Sequence, residues 1–459
     1  MDATDLCFAG AAEQARLVAS GEVSARELVE ATLQRIERLN PSLNAFRVVF
    51  AARALIEAHQ ADARHGAGGH RPLLGVPVAV KDSIDVAGEI TAHGSLAHAE
   101  PADSDADVVR ALREAGAIVV GKTNVPELTV WPFTETLAFG ATRNPWSLDH
   151  TPGGSSGGAG AAAAAGMCGL ALGSDGAGSI RIPAAFCGLF GIKPQRDRVP
   201  LGPRGLDAWH GMVVNGPLTR RVADSALCLD VAGGGLGAFA QAARSDPGRL
   251  RIAVSTKVPP GVVARLGAEQ RRAVDETAAL LRSLGHEVVE REIDYGPGAW
   301  LNVVTRYLRG VHDAAAGVEY PDRLEPRTQG MVKLGGLVPE RQVARARAAE
   351  AALATRIDAI FDHADVVLTP GPSGPPFKIG QLHGRGALWT LNVAAAKVPW
   401  YPVFNAIGQP AASVPAGFDA AGLPLAVQLG GRPNDEATLL SLAAQIERER
   451  PWADRRPEP

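Results

Sequence analysis

The sequence predicts an α/β fold in which a mostly parallel β-sheet is covered by helices on both faces. Short apolar runs, each the length of a buried strand, alternate along the chain with longer segments whose apolar residues recur at helical spacing. Parallel strands need a crossover connection, usually a helix lying on the sheet, so this alternation favours parallel strands. The chain has 459 residues, of which 46% are hydrophobic, and can therefore bury a large core.

The first predicted element is a helix that begins after Ser24. Ser24 and Glu27 match the capping box, in which each side chain accepts a hydrogen bond from a backbone N–H group at the start of the helix. Residues of the buried face then recur at helical spacing: Leu28, Thr32, Ile36 and Leu39. Asn40 and Pro41 are expected to end the helix, since proline disrupts a helix interior. We expect the N-terminal helices, within residues 8–40, to pack on the main domain.

The later elements alternate between strand and helix. In the first half the predictions are a strand at residues 74–80, a helix at 107–115, a strand at 117–120 and a small-residue helix at 159–165. In the second half they are a strand at 251–255, a helix at 269–284, a strand at 286–293, one long helix at 339–361 and a strand at 365–369. There is no internal repeat and no linker long enough to demand separate domains.

Charge and hydropathy disfavour several classes of partner. The net charge of −3 gives no electrostatic basis for binding nucleic acid or an anionic membrane surface. The first residues, M-D-A-T-D-L, lack the basic and apolar regions of a secretory signal. Residues 151–174 are dominated by Gly, Ala and Ser and are too weakly apolar to span a bilayer. We therefore expect a cytoplasmic protein without a nucleic-acid or membrane partner.

Metal and cofactor chemistry is not indicated by the sequence. The four cysteines, Cys7, Cys168, Cys187 and Cys228, form no C-x-x-C pair and have no histidine at ligand spacing. Residues 116–123, G-A-I-V-V-G-K-T, match the letters of a phosphate-binding P-loop. Their variable positions are strand-forming and N-V-P follows, whereas a phosphate loop must open a helix. We expect no metal and no cofactor, and we expect Lys122 to end a buried strand.

The segment 151–190 carries two serines surrounded by glycines, Ser155 and Ser179. Attack on an acyl carbon needs a nucleophile, a base and free backbone N–H groups, and glycine lets the backbone approach closely. Residues 153–157 match the nucleophile elbow G-x-S-x-G, which would make Ser155 the nucleophile, with His312, His363 or His383 as candidate bases. An elbow follows a buried strand, but residues 148–152 are polar and contain a proline, which disfavours this alternative.

The chain resembles the amidase signature family of serine hydrolases. The resemblance rests on G-G-S-S-G-G at residues 153–158 and G-S-D-G-A-G-S-I-R-I-P at 173–183, with G-V-P-V-A-V-K-D at 75–82. It continues through K-T-N-V-P-E at 122–127, F-G-A-T-R-N-P-W at 139–146, N-G-P-L-T-R at 215–220, F-N-A-I-G-Q-P at 404–410 and G-L-P-L-A-V-Q at 422–428. The chain departs from the family pattern at Ala177, where glycine is usual, and at Ser83.

The resemblance implies a single α/β/α domain with a mixed sheet, over residues 1–450, and a Ser-Ser-Lys triad. Ser179 would be the nucleophile and Lys81 the base. Ser155, joined to Gly154 by a cis peptide bond, would pass protons between them. The N–H groups of the nucleophile loop would form the oxyanion hole: Gly176, Ala177, Gly178 and Ser179. The last residues, 451–459, are expected to be a flexible tail.

A lysine base must be neutral to accept a proton. Its pKa must therefore fall from about 10.4 toward about 7 or 8, which burial in apolar surroundings can bring about. Lys81 follows the apolar run at residues 76–80, which agrees with that requirement.

The substrate pocket is the least defined part of the prediction. By position in the family, residues 129–133 correspond to the acyl pocket, with Thr129, Trp131 and Phe133 as candidate substrate contacts; the two aromatic residues fit the core equally well. The loop at 204–214, with Trp209, is a candidate for part of the entrance.

We expect an amidase that hydrolyses the C–N bonds of small apolar or aryl amides, which are linear amides and not peptides. We expect it to be a monomer or homodimer. A carbamate (urethane) or ester hydrolase with the same triad is the alternative, because the attacked carbonyl is alike and only the leaving group differs. The glutaminase subunit of a transfer-RNA amidotransferase is less favoured, since it needs a polar pocket for the α-groups of glutamine. A binding protein without activity is disfavoured because all three triad residues are present.

Overall fold

The computed structural model describes residues 1–64, 71–202 and 208–459, and its centre is an eleven-stranded sheet. The strands of that sheet are β1 (Phe46–Val49), β2 (Pro77–Lys81), β3 (Ile118–Thr123), β6 (Leu170–Asp175), β7 (Phe190–Lys193), β8 (Val214–Thr219), β9 (Arg251–Val254), β10 (Glu287–Glu290), β11 (Val366–Pro370), β12 (Ala411–Phe418) and β13 (Pro424–Gly431). Two short strands, β4 (Glu135–Thr136) and β5 (Gly140–Ala141), pair separately.

Seventeen α-helices occur within the described residues. They are α1 (Ala3–Phe8), α2 (Ala11–Ser20), α3 (Ala25–Leu43), α4 (Ala51–Arg64), α5 (Asp107–Glu114), α6 (Gly157–Ala164), α7 (Arg181–Cys187), α8 (Val222–Ala232), α9 (Ala238–Arg244), α10 (Ala268–Ser283), α11 (Ala299–Ala316), α12 (Pro326–Gly336), α13 (Glu340–Ala348), α14 (Glu350–Asp358), α15 (Ala387–Lys397), α16 (Pro402–Ala406) and α17 (Glu436–Glu449).

The large sheet is mixed, and its strand order is β1-β3-β2-β6-β8-β7-β12-β13-β11-β9-β10. Parallel pairs lie toward the two flanks, where β2 pairs with β3 and β6, and β9 pairs with β10 and β11. Every pair from β6 across to β11 is antiparallel. The expected predominance of parallel pairs thus holds toward the flanks and not in the middle. There, a short hairpin joins β12 to β13, a connection that only antiparallel strands allow.

Helices cover both faces of this sheet, which confirms the predicted α/β class. Side chains of a strand point alternately to the two faces. Val78 and Val80 of β2 belong to the apolar cluster that includes residues of α5, α8, α10 and α17. Ala79, between them, belongs to the opposite cluster with residues of α3 and α6. The edge strand β10 is largely exposed, and its Glu287 and Glu290 face solvent.

The N-terminal helices extend further than residues 8–40, since α1 begins at Ala3 and α3 ends at Leu43. The capping box of Ser24 and Glu27 is confirmed. Pro41, however, lies inside the last turn of α3 instead of ending it. The proline removes one hydrogen bond of the last turn, and continuing the helix past it buries Leu43 completely, which offsets that loss.

Two further element predictions differ from the structure. The long helix expected at 339–361 is divided into α13, α14 and a 3₁₀ turn at Ala359–Asp362. Ala349, with ψ of −7°, separates α13 from α14. The strand expected at 286–293 is the shorter β10.

The C-terminal segment 451–459, predicted to be flexible, lies against the domain. Trp452 is 7% exposed, and its Nε1 donates to the carbonyl oxygen of Arg220 at 2.8 Å. The Arg220 side chain in turn donates to the carbonyl oxygens of Ala453 and Arg455. A buried guanidinium needs such acceptors, and the segment supplies them.

Candidate active site

The segments that carry the three predicted catalytic residues come together at one edge of the sheet. Lys81 is the last residue of β2, and β6 runs parallel beside it with Val80 opposite Leu172. Because the carboxyl ends of parallel strands lie at the same edge, the loop that follows β6 and carries Ser179 starts next to Lys81. Ser155 reaches the same place from the loop that precedes α6.

Lys81 is completely buried and hydrogen-bonded. Its Nζ lies 2.8 Å from Ser155 Oγ, 2.9 Å from Ser174 Oγ and 3.1 Å from the carbonyl oxygen of Ser174. Burial lowers the pKa of Lys81 to about 7, and the negative charge of Asp175 offsets only part of that effect. Near neutral pH much of this lysine is therefore uncharged and able to accept a proton.

Ser155 and Ser179 are both buried, at 2% and 8% exposure. The Gly154–Ser155 peptide bond is cis. The N–H group of Ser156 donates to the carbonyl oxygen of Ser179 at 3.2 Å, which ties the two serine loops together. Among the described residues, no hydrogen bond joins Ser155 Oγ to Ser179 Oγ. The structure thus shows the Lys81 side of the expected proton path, and the Ser179 side stays a prediction.

Ser174, one of the Lys81 partners, was missed by the sequence reasoning. It lies in β6 next to Asp175, within the matched segment at residues 173–183. Its carbonyl oxygen also accepts a hydrogen bond from Ser156 Oγ at 3.1 Å. The signal that could have revealed it is the parallel pairing of β2 and β6, since that pairing brings the ends of both strands together.

A buried ion pair holds the nucleophile loop. Asp175 and Arg181 are both fully buried, with Arg181 Nε 2.9 Å from Asp175 Oδ2. Burial acts to raise the pKa of Asp175, but the charge and hydrogen bonds of Arg181, together with Asn405 and Lys193, outweigh it, so the pKa lies below its usual range. Asn405 of α16 donates to Asp175 Oδ1 at 2.9 Å and accepts from Arg181 at 2.6 Å. Gln428 of β13 also accepts from Arg181, at 2.6 Å.

This network corrects one part of the predicted oxyanion hole. The N–H group of Gly178 donates to Asp175 Oδ1 at 2.6 Å, so it is not free to bind an oxyanion. The N–H groups of Gly176, Ala177 and Ser179 have no hydrogen-bond acceptor among the described residues. The predicted hole is therefore reduced to these three donors.

A small apolar cavity of about 60 Å³ adjoins Ser179. Its walls are aliphatic, aromatic or proline residues apart from Ser179 itself, and no ionisable side chain other than Tyr307 lines it in the described part of the chain. The Tyr307 hydroxyl donates to the carbonyl oxygen of Val130 at 2.7 Å. The lining includes Val130, Trp131, Ala177, Ile182, Trp209, Trp300, Val303, Leu391, Ala394 and Val398.

The predicted pocket residues divide into one that lines this cavity and two that do not. Trp131 forms part of its wall, whereas Thr129 and Phe133 do not. Phe133 has no exposed surface and stacks behind Trp131, with the ring centres 5.9 Å apart. Residues 127–133 form a 3₁₀ turn and bends rather than a strand, and both aromatic rings lie in one apolar cluster, of which only Trp131 reaches the cavity beside Ser179.

Helices α11 and α15 supply walls that the sequence reasoning missed, including Trp300, Val303 and Leu391. Their apolar residues could have indicated helices, but not which face meets Ser179. Of the predicted entrance loop at 204–214, residues 204–207 lie outside the described part. Trp209 lines the cavity.

The segments that match a P-loop and a nucleophile elbow lack the local structure that those motifs require. Lys122 lies in β3, fully buried, with Nζ 3.1 Å from Asp82 Oδ1. No strand precedes Ser155 within residues 148–153. His312 is on α11, where its Nδ1 lies 3.1 Å from the carbonyl oxygen of Val332.

Neither a metal cluster nor a membrane span is found in the described residues. Among residues 1–64, 71–202 and 208–459, no three His, Cys, Asp or Glu side chains are grouped so as to hold a metal ion. In the same residues, no helix combines the length and apolar character that crossing a membrane requires. All four cysteines are free and buried.

Comparison with known proteins gives consistent matches over nearly the whole chain. A family model described as Amidase matches residues 27–440. "Putative amidase AmiB2" of Mycobacterium tuberculosis is 56% identical over 460 residues, which cover 100% of this chain and 99% of that protein. The 6-aminohexanoate-cyclic-dimer hydrolase of Paenarthrobacter ureafaciens is 34% identical, over 98% of this chain and 96% of that protein.

Solved structures agree with these matches. A 6-aminohexanoate cyclic dimer hydrolase complexed with substrate superposes with a TM-score of 0.87 at 33% identity, over 98% of this chain and 99% of that one. A bacterial aryl acylamidase gives a TM-score of 0.85 at 25% identity, over 97% of each chain.

Proposed function

The chain belongs to the amidase signature family and is an amide-hydrolysing enzyme, and from that premise we propose that it cleaves small apolar or aryl amides through an acyl-enzyme on Ser179. The observation that carries the proposal is the hydrogen bond between a fully buried Lys81 and Ser155, at 2.8 Å, beside the Ser179 loop. A buried, hydrogen-bonded lysine whose pKa is lowered to about 7 is suited to act as a base at neutral pH.

The proposed reaction proceeds in two halves. Neutral Lys81 accepts a proton from Ser155 as Ser155 accepts one from Ser179, and Ser179 Oγ forms a bond to the amide carbon. The oxygen of that carbon becomes negative and is stabilised by the N–H groups of Gly176, Ala177 and Ser179. The proton returns to the leaving amine as the C–N bond breaks. Water, activated by the same base, then hydrolyses the ester on Ser179 and releases the acid.

The cavity walls support a substrate group without charge. Burying an ionised group costs several kcal/mol unless it is paired, and the described lining offers no cationic or carboxylate side chain as a partner. This argues against glutamine, whose α-amino and α-carboxylate groups are charged. The names of two similar proteins, an aryl acylamidase and a cyclic-dimer hydrolase, agree with amide substrates of low charge.

A carbamate or ester substrate remains the alternative, since the triad and the oxyanion donors would serve any of these carbonyls. We also propose that the enzyme acts on small molecules as a monomer or homodimer in the cytoplasm. The net charge of −3 supports the expectation that nucleic acid is not a partner.

Labelling with a serine-directed fluorophosphonate tests the proposed nucleophile. We expect the adduct on Ser179, and we expect Ser179→Ala to remove both the adduct and amide turnover. Ser441→Ala, a serine of α17 that lies outside the site, is the control and should keep both. An adduct on Ser155 that persists in Ser179→Ala would contradict the assignment. A screen over aryl amides, carbamates, esters and glutamine then separates the substrate classes.

A further inference from the structure

The indole of Trp209 occupies a slot between two glycines beside the proposed active site. A Cβ atom added to Gly176 would lie 2.7 Å from Trp209 Cε3 and 2.9 Å from Cζ3. A Cβ atom added to Gly310, on α11, would lie 2.7 Å from both Cα and Cδ1 of Trp209. Atoms in folded proteins do not pack so closely, so only glycine on both sides leaves room for this ring.

The backbone at Trp209 is held in an unusual conformation. Trp209 and His210 have φ angles of +51° and +55°, in the left-handed region that residues other than glycine seldom adopt. The carbonyl oxygen of His210 accepts hydrogen bonds from Arg306, at 2.7 Å and 3.1 Å. Tyr307 packs edge-on against the indole, with ring centres 4.9 Å apart. These contacts fix the position of the indole.

The fixed indole is a wall of the cavity that also contains Ser179 and Trp131. The cavity volume of about 60 Å³ is far below the roughly 300–1,000 Å³ of ordinary ligand pockets. In so small a space, each aromatic wall limits the size of the groups that can enter, and Trp209 is the wall whose position is held by its neighbours. Because the same ring touches Gly176, a proposed oxyanion donor, the wall stands at a set distance from the reacting carbonyl.

We infer that Trp209 is a specificity-determining residue that limits the size of the acyl group accepted beside Ser179. The inference rests on the proposed function, since it places the acyl carbon of the substrate at Ser179. It commits to the acyl side because the cavity adjoins Ser179, the residue to which the acyl group would be bonded, and Ala177 of the same loop lines it too. Gly310 contributes indirectly, by leaving the space in which the indole sits.

Binding to the Ser179→Ala protein tests the inference without needing turnover. Dissociation constants are measured by calorimetry for two series of neutral anilides, one with acetyl, butanoyl and hexanoyl groups and one with growing substituents on the amine. We expect affinity to fall as the acyl group grows. Adding Trp209→Ala should raise the affinity for the hexanoyl compound relative to the acetyl compound by roughly tenfold or more, in the range that pocket size controls. Trp209→Phe should give an intermediate change.

Gly310→Ala provides a second test, because its added Cβ reaches the indole and Gly310 itself does not line the cavity. The added Cβ would meet both the Cα and the indole of Trp209 and displace them, so we expect the acyl-size preference to change while the response to the amine substituent stays the same. Gly298→Ala, at the start of the same helix, is the matched control, since its Cβ would meet nothing within 4 Å. Trp452→Phe controls for loss of an indole, because Trp452 is 7% exposed, against 9% for Trp209.

An unchanged acyl-size preference in folded Trp209→Phe and Gly310→Ala proteins would overturn the inference, as would a response confined to the amine series or the absence of anilide binding. Failure of the proposed function has a different signature, namely amide turnover that survives Ser179→Ala. If Trp209→Ala does not fold, the other two variants decide the question.

Discussion

At the scale of single residues, the site depends on a lysine that the fold keeps partly uncharged. Lys81 has no exposed surface, and burial lowers its pKa to about 7. Asp175 is the acidic residue that most nearly precedes Ser179 in the sequence. Its Oδ2 is paired with Arg181 Nε at 2.9 Å. Because Asp175 is engaged with Arg181, it only partly offsets the effect of burial on Lys81. The ion pair therefore holds the loop in place, and its carboxylate only partly offsets the effect of burial on Lys81, the proposed base.

The pH dependence of amide hydrolysis should follow Lys81. Protonated lysine cannot accept a proton, so kcat/KM is expected to fall about tenfold per pH unit below the lowered pKa and to level off above it. Half of the maximum should be reached near the pKa of about 7. A rate profile from about pH 5 to about pH 9 measures this. Lys81→Arg, which stays charged throughout, should be inactive, and a flat profile for the unmodified enzyme would contradict the role of Lys81.

The resemblance to the amidase signature family is sufficient to nominate Lys81, Ser155 and Ser179, because the motifs that contain these three residues all occur in the chain. The sequence does not predict that Ser174 contacts Lys81, or that the Gly178 N–H group is hydrogen-bonded to Asp175. Ser174 meets Lys81 only through strand pairing. Gly178 is occupied because the Asp175 side chain folds back on its own turn, which a pattern of letters does not display.

At the scale of elements, two neighbouring aromatic residues have different surroundings. Trp131 lines the cavity, while Phe133 is enclosed between Trp131 and Phe377, whose ring centre is 6.1 Å away. The segment at residues 131–133 thus connects the cavity beside Ser179 to the apolar cluster that encloses Phe133.

Truncating these residues should separate specificity from stability. Phe133→Ala is expected to cost about 3–5 kcal/mol of unfolding free energy, since it empties a fully buried position. It should leave the ratio of kcat/KM for two acyl sizes unchanged. Trp131→Ala should change that ratio as well as lower the melting temperature. Thermal denaturation and kinetics with two anilides test both, and a preference that shifts equally in the two variants would place Phe133 in the pocket after all.

Local patterns predict most of the regular elements near the site but not their ends or the cavity walls. The burial of Leu43 carries α3 past Pro41, which is a tertiary effect. The break at Ala349 follows no glycine or proline. Helices α11 and α15 reach the cavity from more than a hundred residues beyond Ser179, and a helical pattern does not state which distant loop its face will cover.

At the scale of the whole molecule, the two ends of the chain meet around buried cations. The Phe8 ring, at the end of α1, is contacted by the guanidinium groups of Arg35 at 4.5 Å, Arg220 at 4.6 Å and Arg456 at 4.7 Å. Burial lowers the pKa of Arg220 to about 9. Trp452 and its neighbours cover this guanidinium and supply its acceptors.

Trp452→Ala is therefore expected to destabilise the enzyme by about 3–5 kcal/mol, as for other large buried aromatics, while leaving kcat/KM unchanged. Arg456→Ala removes an exposed ion pair with Asp5 and should change stability by less than about 1 kcal/mol. Chemical denaturation of both variants gives the comparison. A Trp452→Ala protein as stable as the unmodified enzyme would show that the C-terminal segment is not held.

The large sheet is open, and among the described residues one side of the β10 backbone has no strand partner. An unpaired strand edge is a template on which another chain can add a strand, and repeated addition leads to aggregation. Glu287 and Glu290 enclose the two valines of β10 and face solvent. Two copies meeting along this edge would bring like charges together. We therefore expect the two carboxylates to oppose self-association along this edge at high concentration.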